Sequence, residues 1–234
     1  MNARALRLVA PVALALAAAG CAPLTVVPDA ERERTHAALE GRTRWLRVAL
    51  SVSPLFGDRG KLLLLDAPPA EVDLLRGTDG TVIPPPAAER ILPPGTPVRI
   101  EQVEFPTGLV IAGRPVMSPR YLPWVYLKIA GEDRPFVLVL SNASVSADAL
   151  LAEVDRMLTP DDPSRALAAL PQEQRDAIGR RELVEGMGTR AVEMAWGVPE
   201  KIRIDRPAAT AEWAWPAGKR RAWFQDEKLV RWER

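Results

Sequence analysis

The chain has 234 residues, 47% hydrophobic and 26% charged, with 31 Lys plus Arg against 30 Asp plus Glu. That length holds one large domain or two small ones around a sizeable core, and the near-neutral balance excludes a dedicated nucleic-acid binder. One cysteine excludes a disulfide framework, one histidine excludes most histidine-based metal sites and proton relays, and 23 prolines argue against long uninterrupted helices.

Arg4 and Arg7 form a positive leader, and residues 8–19 are an apolar stretch interrupted only by Pro11. A membrane-spanning helix takes about 20 residues, so this stretch is too short to span and suits the core of a signal peptide. Ala17, Ala18, Ala19 and Gly20 precede the only cysteine, Cys21. This resembles the bacterial lipobox, which is cut before a cysteine that then carries diacylglycerol and an N-acyl chain. It departs from the usual pattern at Ala18, where leucine is commoner. An ordinary secretory peptide cut at an Ala-x-Ala site would instead leave Cys21 as an unexplained thiol. The resemblance makes residues 1–20 a lipoprotein signal peptide, with Cys21 the lipidation site and the acyl groups the only modification or cofactor expected. Ala22, in place of a retention aspartate, directs the chain to the periplasmic face of an outer membrane. Loss of Arg4 and Arg7 leaves two fewer cations against the same 30 acids, a net charge of −1, so lipid and not charge is the tether.

Residues 21–42 read as a tether with a short polar helix, and His36 as a solvated linker side chain. Residues 43–141 read as β. Strand signals lie at 45–52, 61–65, 71–75, 81–83, 98–105, 124–129 and 136–140, with Asp79-Gly80 a turn and a bulge expected near Gln102, where the alternation of Val98, Ile100, Val103 and Phe105 slips by one residue. Ten prolines between Pro84 and Pro123 shorten these strands. The pattern predicts a small β-barrel or sandwich. Residues 142–172 read as a helical connector, with Ser146 capping a helix of apolar residues Leu150, Leu151, Val154, Met157 and Leu158.

Gly186, Met187, Val192, Gly197 and Pro199 read as turn, short helix, helix stop and strand entry. Short strands follow at 200–204, 211–215, 221–224 and 228–232. These residues, with Trp213, Phe224 and Leu229, resemble the SmpA/OmlA (BamE) family of small outer-membrane lipoproteins. Two positions depart from the family pattern: Gly188 replaces a capping threonine, and Trp215 replaces a tyrosine. The resemblance covers about residues 173–234 and implies two helices on an antiparallel sheet of three to four strands. It further implies a non-enzymatic helper of the machinery that inserts β-barrel proteins into the outer membrane. The expected class is thus α+β: a small barrel or sandwich at 43–141, the connector, and a BamE-like module at 173–234.

Ser141, Ser144 and Ser146 have no plausible base, and Asp161-Asp162 between prolines read as helix-boundary residues, so no catalysis is expected. Five of the seven tryptophans follow residue 195. Trp213 and Trp215 share a face by alternation, and a core aromatic cluster is the simpler reading of them. Trp215, Lys219, Arg220 and Arg221 form one candidate partner surface, and the irregular Arg114, Arg120 and Trp124 segment forms another. The expected function is a lipid-anchored interaction or assembly module that meets an envelope protein, the β-barrel assembly machinery in the family's case, and no nucleic acid. The alternative is a cell-wall or ligand-binding lipoprotein that works through residues 43–141.

Overall fold

The computed structural model describes residues 26–141 and 145–234. Runs of β-branched and leucine residues make the strands, and the longest runs lie where both faces of a sheet are covered. Strands β1 (Thr43–Leu46), β2 (Leu50–Leu55), β3 (Asp58–Leu65), β4 (Arg90–Leu92), β5 (Pro97–Glu104), β6 (Trp124–Lys128), β7 (Phe136–Val139) and β8 (Leu158–Thr159) form one open mixed sheet in the order β4-β2-β3-β7-β6-β5-β1-β8. One pairing is parallel, β3 with β7, through Leu62 opposite Phe136 and Leu63 opposite Val137. The sequence slip near Gln102 is a real irregularity, with the β5–β6 register shifting between Ile100 and Gln102.

Helices α1 (Asp29–Leu39) and α3 (Ala147–Met157) cover one face of this sheet. Leu39, Leu150 and Val154 pack there with Val52, Leu62, Ile100, Val125 and Phe136, all fully buried. Each such side chain contributes about 1.5–3 kcal/mol of burial. Ser146 Oγ accepts the Ala149 N–H at the start of α3, the expected cap. The opposite face carries Leu55, Leu63, Leu65, Trp124 and Val137, covered by Val72, Leu74, Leu75 and Ile83. Those last four were expected in strands. They instead follow a 3₁₀ turn at Pro69–Glu71 and belong to no strand: the pairing there is one isolated bridge, Arg76 to Val82, beside which the Ile83 N–H donates to Leu75 O at 2.8 Å. Pro68 and Pro69 lack the N–H a ladder needs, and the apolar side chains find burial without one.

Helix α2 (Gly108–Gly113) sits between β5 and β6, while α4 (Ser164–Ala168), α5 (Gln172–Gly179) and α6 (Thr189–Trp196) lead into a second sheet. Its strands β9 (Lys201–Asp205), β10 (Thr210–Ala214), β11 (Arg221–Gln225) and β12 (Lys228–Glu233) run antiparallel in the order β12-β11-β10-β9. Met187, Val192, Trp196, Trp213, Trp215, Phe224 and Leu229 fill the core between α6 and this sheet. Gly197 ends α6 with φ 86° and ψ 177°, a conformation open essentially to glycine alone.

The expected architecture is corrected. Residues 43–141 form no small barrel or sandwich. With residues 158–159 they make an open sheet of eight strands, and the described residues carry six α-helices and two sheets, not a small two-helix, three- to four-strand BamE-like fold. The physical reason lies in long-range packing. Residues 147–157 bury their stripe on the first sheet, β8 extends that sheet beside β1, and Ala49 belongs to the core of the second sheet.

Candidate interaction site

The leads from the sequence fall in three places. Cys21 and Ser144 lie outside the described residues. His36 is no free linker side chain: Nδ1 lies 2.8 Å from Glu40 Oε1, and the ring meets Phe105 edge-on at 5.4 Å. The helix that carries it is docked, with Glu31 accepting the Ala147 N–H at 2.7 Å and Arg34 pairing with Asp148 at 2.9 Å. The bond from Ala147 holds the Glu31 carboxyl below the usual range. Asp162 accepts the Ser164 N–H at 2.8 Å at the start of α4, and the Ser164 hydroxyl first, then this N–H, hold its carboxyl below the usual range. Among the described residues no group of three His, Cys, Asp or Glu side chains is placed to hold a metal, and no helix is long and apolar enough to cross a membrane.

The segment at residues 106–123 hangs on one buried guanidinium. Arg114 Nη2 lies 2.6 Å from Glu104 Oε1, and Nη1 donates to the carbonyls of Arg120 at 3.0 Å and Leu122 at 2.7 Å. The same group stacks over Trp124, 3.8 Å from the ring centroid, while Trp124 Nε1 donates to Pro119 O. The planar fork of arginine allows this set of contacts, which a lysine could not reproduce. Tyr126 O–H reaches toward Glu104 at 3.4 Å. Burial, with the Glu104 carboxylate beside it, pushes that phenol up to about 12.

A second arginine cluster lies where the two sheets meet. Arg181 is buried; Nη1 donates to Leu65 O at 2.8 Å and Ser51 Oγ at 3.3 Å, and Nη2 to Asp66 O. Burial, reinforced by nearby Arg220, pulls its pKa down to about 10, which still leaves it charged at neutral pH. Arg220 is buried too, 2.9 Å from Glu71 and donating to Trp196 O at 3.0 Å. Trp215 Nε1 donates to Gly197 O at 3.0 Å, and the ring meets Trp196 at 5.2 Å.

Trp215, Arg220, Arg114 and Trp124 are therefore corrected as surface candidates. Each lies inside, because each side chain found a partner that needs burial. Lys219 and Arg221 stay exposed, Arg120 half so. Gly186, Met187, Val192, Gly197, Pro199, Trp213 and Phe224 serve as turn, helix stop and core.

What the molecule does present is apolar. Leu109, 90% exposed, stands with Val116, Met117 and Tyr121 on the Arg114-held segment. The hairpin between β2 and β3 abuts this segment so closely that a Cβ at Gly57 would come within 3.1 Å of Met117 O. That places the turn leading to exposed Arg59 beside the segment, and the Arg120 guanidinium lies 5.3 Å from the Tyr121 ring centre. Sequence reasoning chose this segment but named the residues that anchor it. The signal for the others was the short apolar run after Gly108, which follows neither helical nor strand periodicity. Ile202 and Ile204 are also exposed at the margin of the second sheet, opposite Trp213 and Ala211 in register.

Compared with known proteins, the chain matches no family model, no curated protein and no solved structure.

Proposed function

We propose that this chain is a lipid-anchored, periplasm-facing outer-membrane lipoprotein that acts as a non-enzymatic interaction module in outer-membrane protein assembly or envelope integrity. Its anchor is the acylated Cys21, and its contact surface is the segment at residues 106–123. One observation carries the reading: four large apolar side chains stand in solvent on a backbone that a buried Arg114–Glu104 pair holds in place. A patch held rigid before binding loses little conformational entropy on association, which is how contact surfaces gain affinity. Single exposed apolar side chains need no explanation, but four large ones exposed within one ordered segment of 18 residues support a partner site there. Arg59 and Arg120 at its rim suit a protein partner whose apolar pocket is edged by carboxylates.

The test places a photo-crosslinking residue at Val116 or Tyr121 in the full-length protein in cells. Adducts with an envelope protein, lost in Cys21→Ala, support the reading. Adducts absent at both positions, but present at a control site such as Lys228, overturn the assigned surface.

A groove of about 710 Å³ favours a second reading, a ligand-binding lipoprotein. Asp73, Arg76, Arg156 and Glu200 are among its lining residues, which mix both charges over an apolar floor that includes Leu74 and Val139. Retention of the protein on isolated peptidoglycan, weakened by Arg76→Glu, would favour that role over the first.

A further inference from the structure

The junction between the two sheets holds a cleft of about 160 Å³, room for about five water molecules at ~30 Å³ each. Four arginines line it, Arg180, Arg181, Arg220 and Arg234, and no acid does. Two of these guanidiniums and one arginine carbonyl gather around a single indole. Arg220 and Arg234 lie 5.5 and 5.2 Å from the Trp196 ring centre, and Trp196 Nε1 donates to Arg181 O.

The side-chain carboxylates nearby number one fewer than the arginines, and one of them, Asp66, attracts Arg181 and Arg220 without a direct ion pair. Glu71 pairs with Arg220, and Glu182 pairs with Arg180. Among the described residues neither Arg181 nor Arg234 forms an ion pair. Arg181 donates to the Ser51 hydroxyl and the carbonyls of Leu65 and Asp66, with the Asp66 and Glu71 carboxylates acting on it at longer range, and Arg234 donates to Arg181 O. A role as struts between the sheets accounts for the bonds of Arg181 and Arg220. It leaves unexplained why Arg180 and Arg234 line the same opening: Asp66 and Glu71 offset part of the repulsion among Arg181, Arg220 and Arg234, and a bound anion would offset the rest.

We propose that this cleft binds a compact phosphate-type oxyanion. Guanidinium forks match the geometry of phosphate oxygens, and several converging on one small opening provide more donors than a single carboxylate can accept. Pro68, Pro69 and Ile91 form the apolar part of the wall, against which the carbon body of a phosphomonoester would rest. The site involves none of the residues of the 106–123 surface, so it stands or falls independently of that reading.

The experiment measures thermal unfolding and titration calorimetry of the full-length protein at constant ionic strength. The probes are inorganic phosphate, glycerol 3-phosphate and, as a carboxylate control, acetate. At tenfold excess over its Kd, phosphate should raise the Tm by about 3 °C. Arg180→Gln and Arg234→Gln alter side chains at the solvent rim, so the fold survives, and each should weaken phosphate binding about tenfold. Arg221→Gln, an exposed arginine outside the cleft, should leave binding unchanged. Tighter binding of glycerol 3-phosphate supports a phosphomonoester ligand, and equal binding supports free phosphate. No saturable shift with either phosphate, or shifts that acetate reproduces or that both rim variants retain, overturns the proposal.

Discussion

Replacing Arg114 by alanine removes the charged side chain that ties residues 106–123 to Glu104 on the first sheet. The change leaves Glu104 without its cation, and such a loss inside a protein costs about 3–5 kcal/mol. The Glu104 side chain keeps 23% exposure, so solvent takes up part of the charge and the lower end applies. The carbonyls of Arg120 and Leu122 lose a donor as well, which adds about 1 kcal/mol together. The total is about 4 kcal/mol, a large share of the 5–15 kcal/mol typical of folded domains. Arg114→Lys keeps a charge but not the fork and should recover about half of the loss. Urea unfolding followed by tryptophan fluorescence measures these differences, since Trp124 stacks on the guanidinium. Adding Glu104→Gln to Arg114→Ala should show a coupling of about 2 kcal/mol. Limited proteolysis should cut residues 106–123 faster in the alanine variant at a temperature where both proteins are folded. A loss below about 1 kcal/mol with additive single effects and an unchanged cleavage rate would refute the reasoning.

Three other outcomes follow from single side chains. Tyr126 has its folded pKa raised to about 12, so its contribution is intact below the unfolded value of about 10 and is lost as pH rises through 12; solvent screening at this half-buried site reduces the loss to about 1–2 kcal/mol. Tyr126→Phe should remove that slope from a stability curve taken between these pH values. Gly197→Ala meets nothing closer than Asp66 O at 3.6 Å, so its cost is conformational, about 1–3 kcal/mol at φ 86° and ψ 177°, read as a lower urea midpoint at unchanged slope. Ser146→Ala removes the cap of α3 and should cost about 1 kcal/mol in the same assay, with Ser146→Asp recovering most of it.

Local chemistry was legible in the amino-acid order. The Ser146 cap, the register slip beside Gln102, the Asp79-Gly80 turn and the stop at Gly197 each depend on a few neighbouring residues, and each stands where its residues direct it. The same holds for faces: alternation put Trp213 and Trp215 on one side of β10 and its exit, and both are in the core. The long-range choices were made elsewhere. The parallel pairing of β3 with β7 joins segments separated by more than seventy positions, and β8 finds β1 across more than a hundred. Such pairings are decided by the summed burial of both faces against the entropy of closing long loops, which no local window contains. Burial depth escaped the sequence for a related reason. Arg114 and Arg220 read as candidates for a partner surface because arginine is usually exposed, yet Glu104, Glu71 and a set of distant carbonyls gave each a dry place. The candidate site was found as a segment for its irregular composition, but which of its side chains anchor and which are presented was settled by tertiary packing, because only packing brings the partners that make a charge cheap to bury and leave a leucine in water.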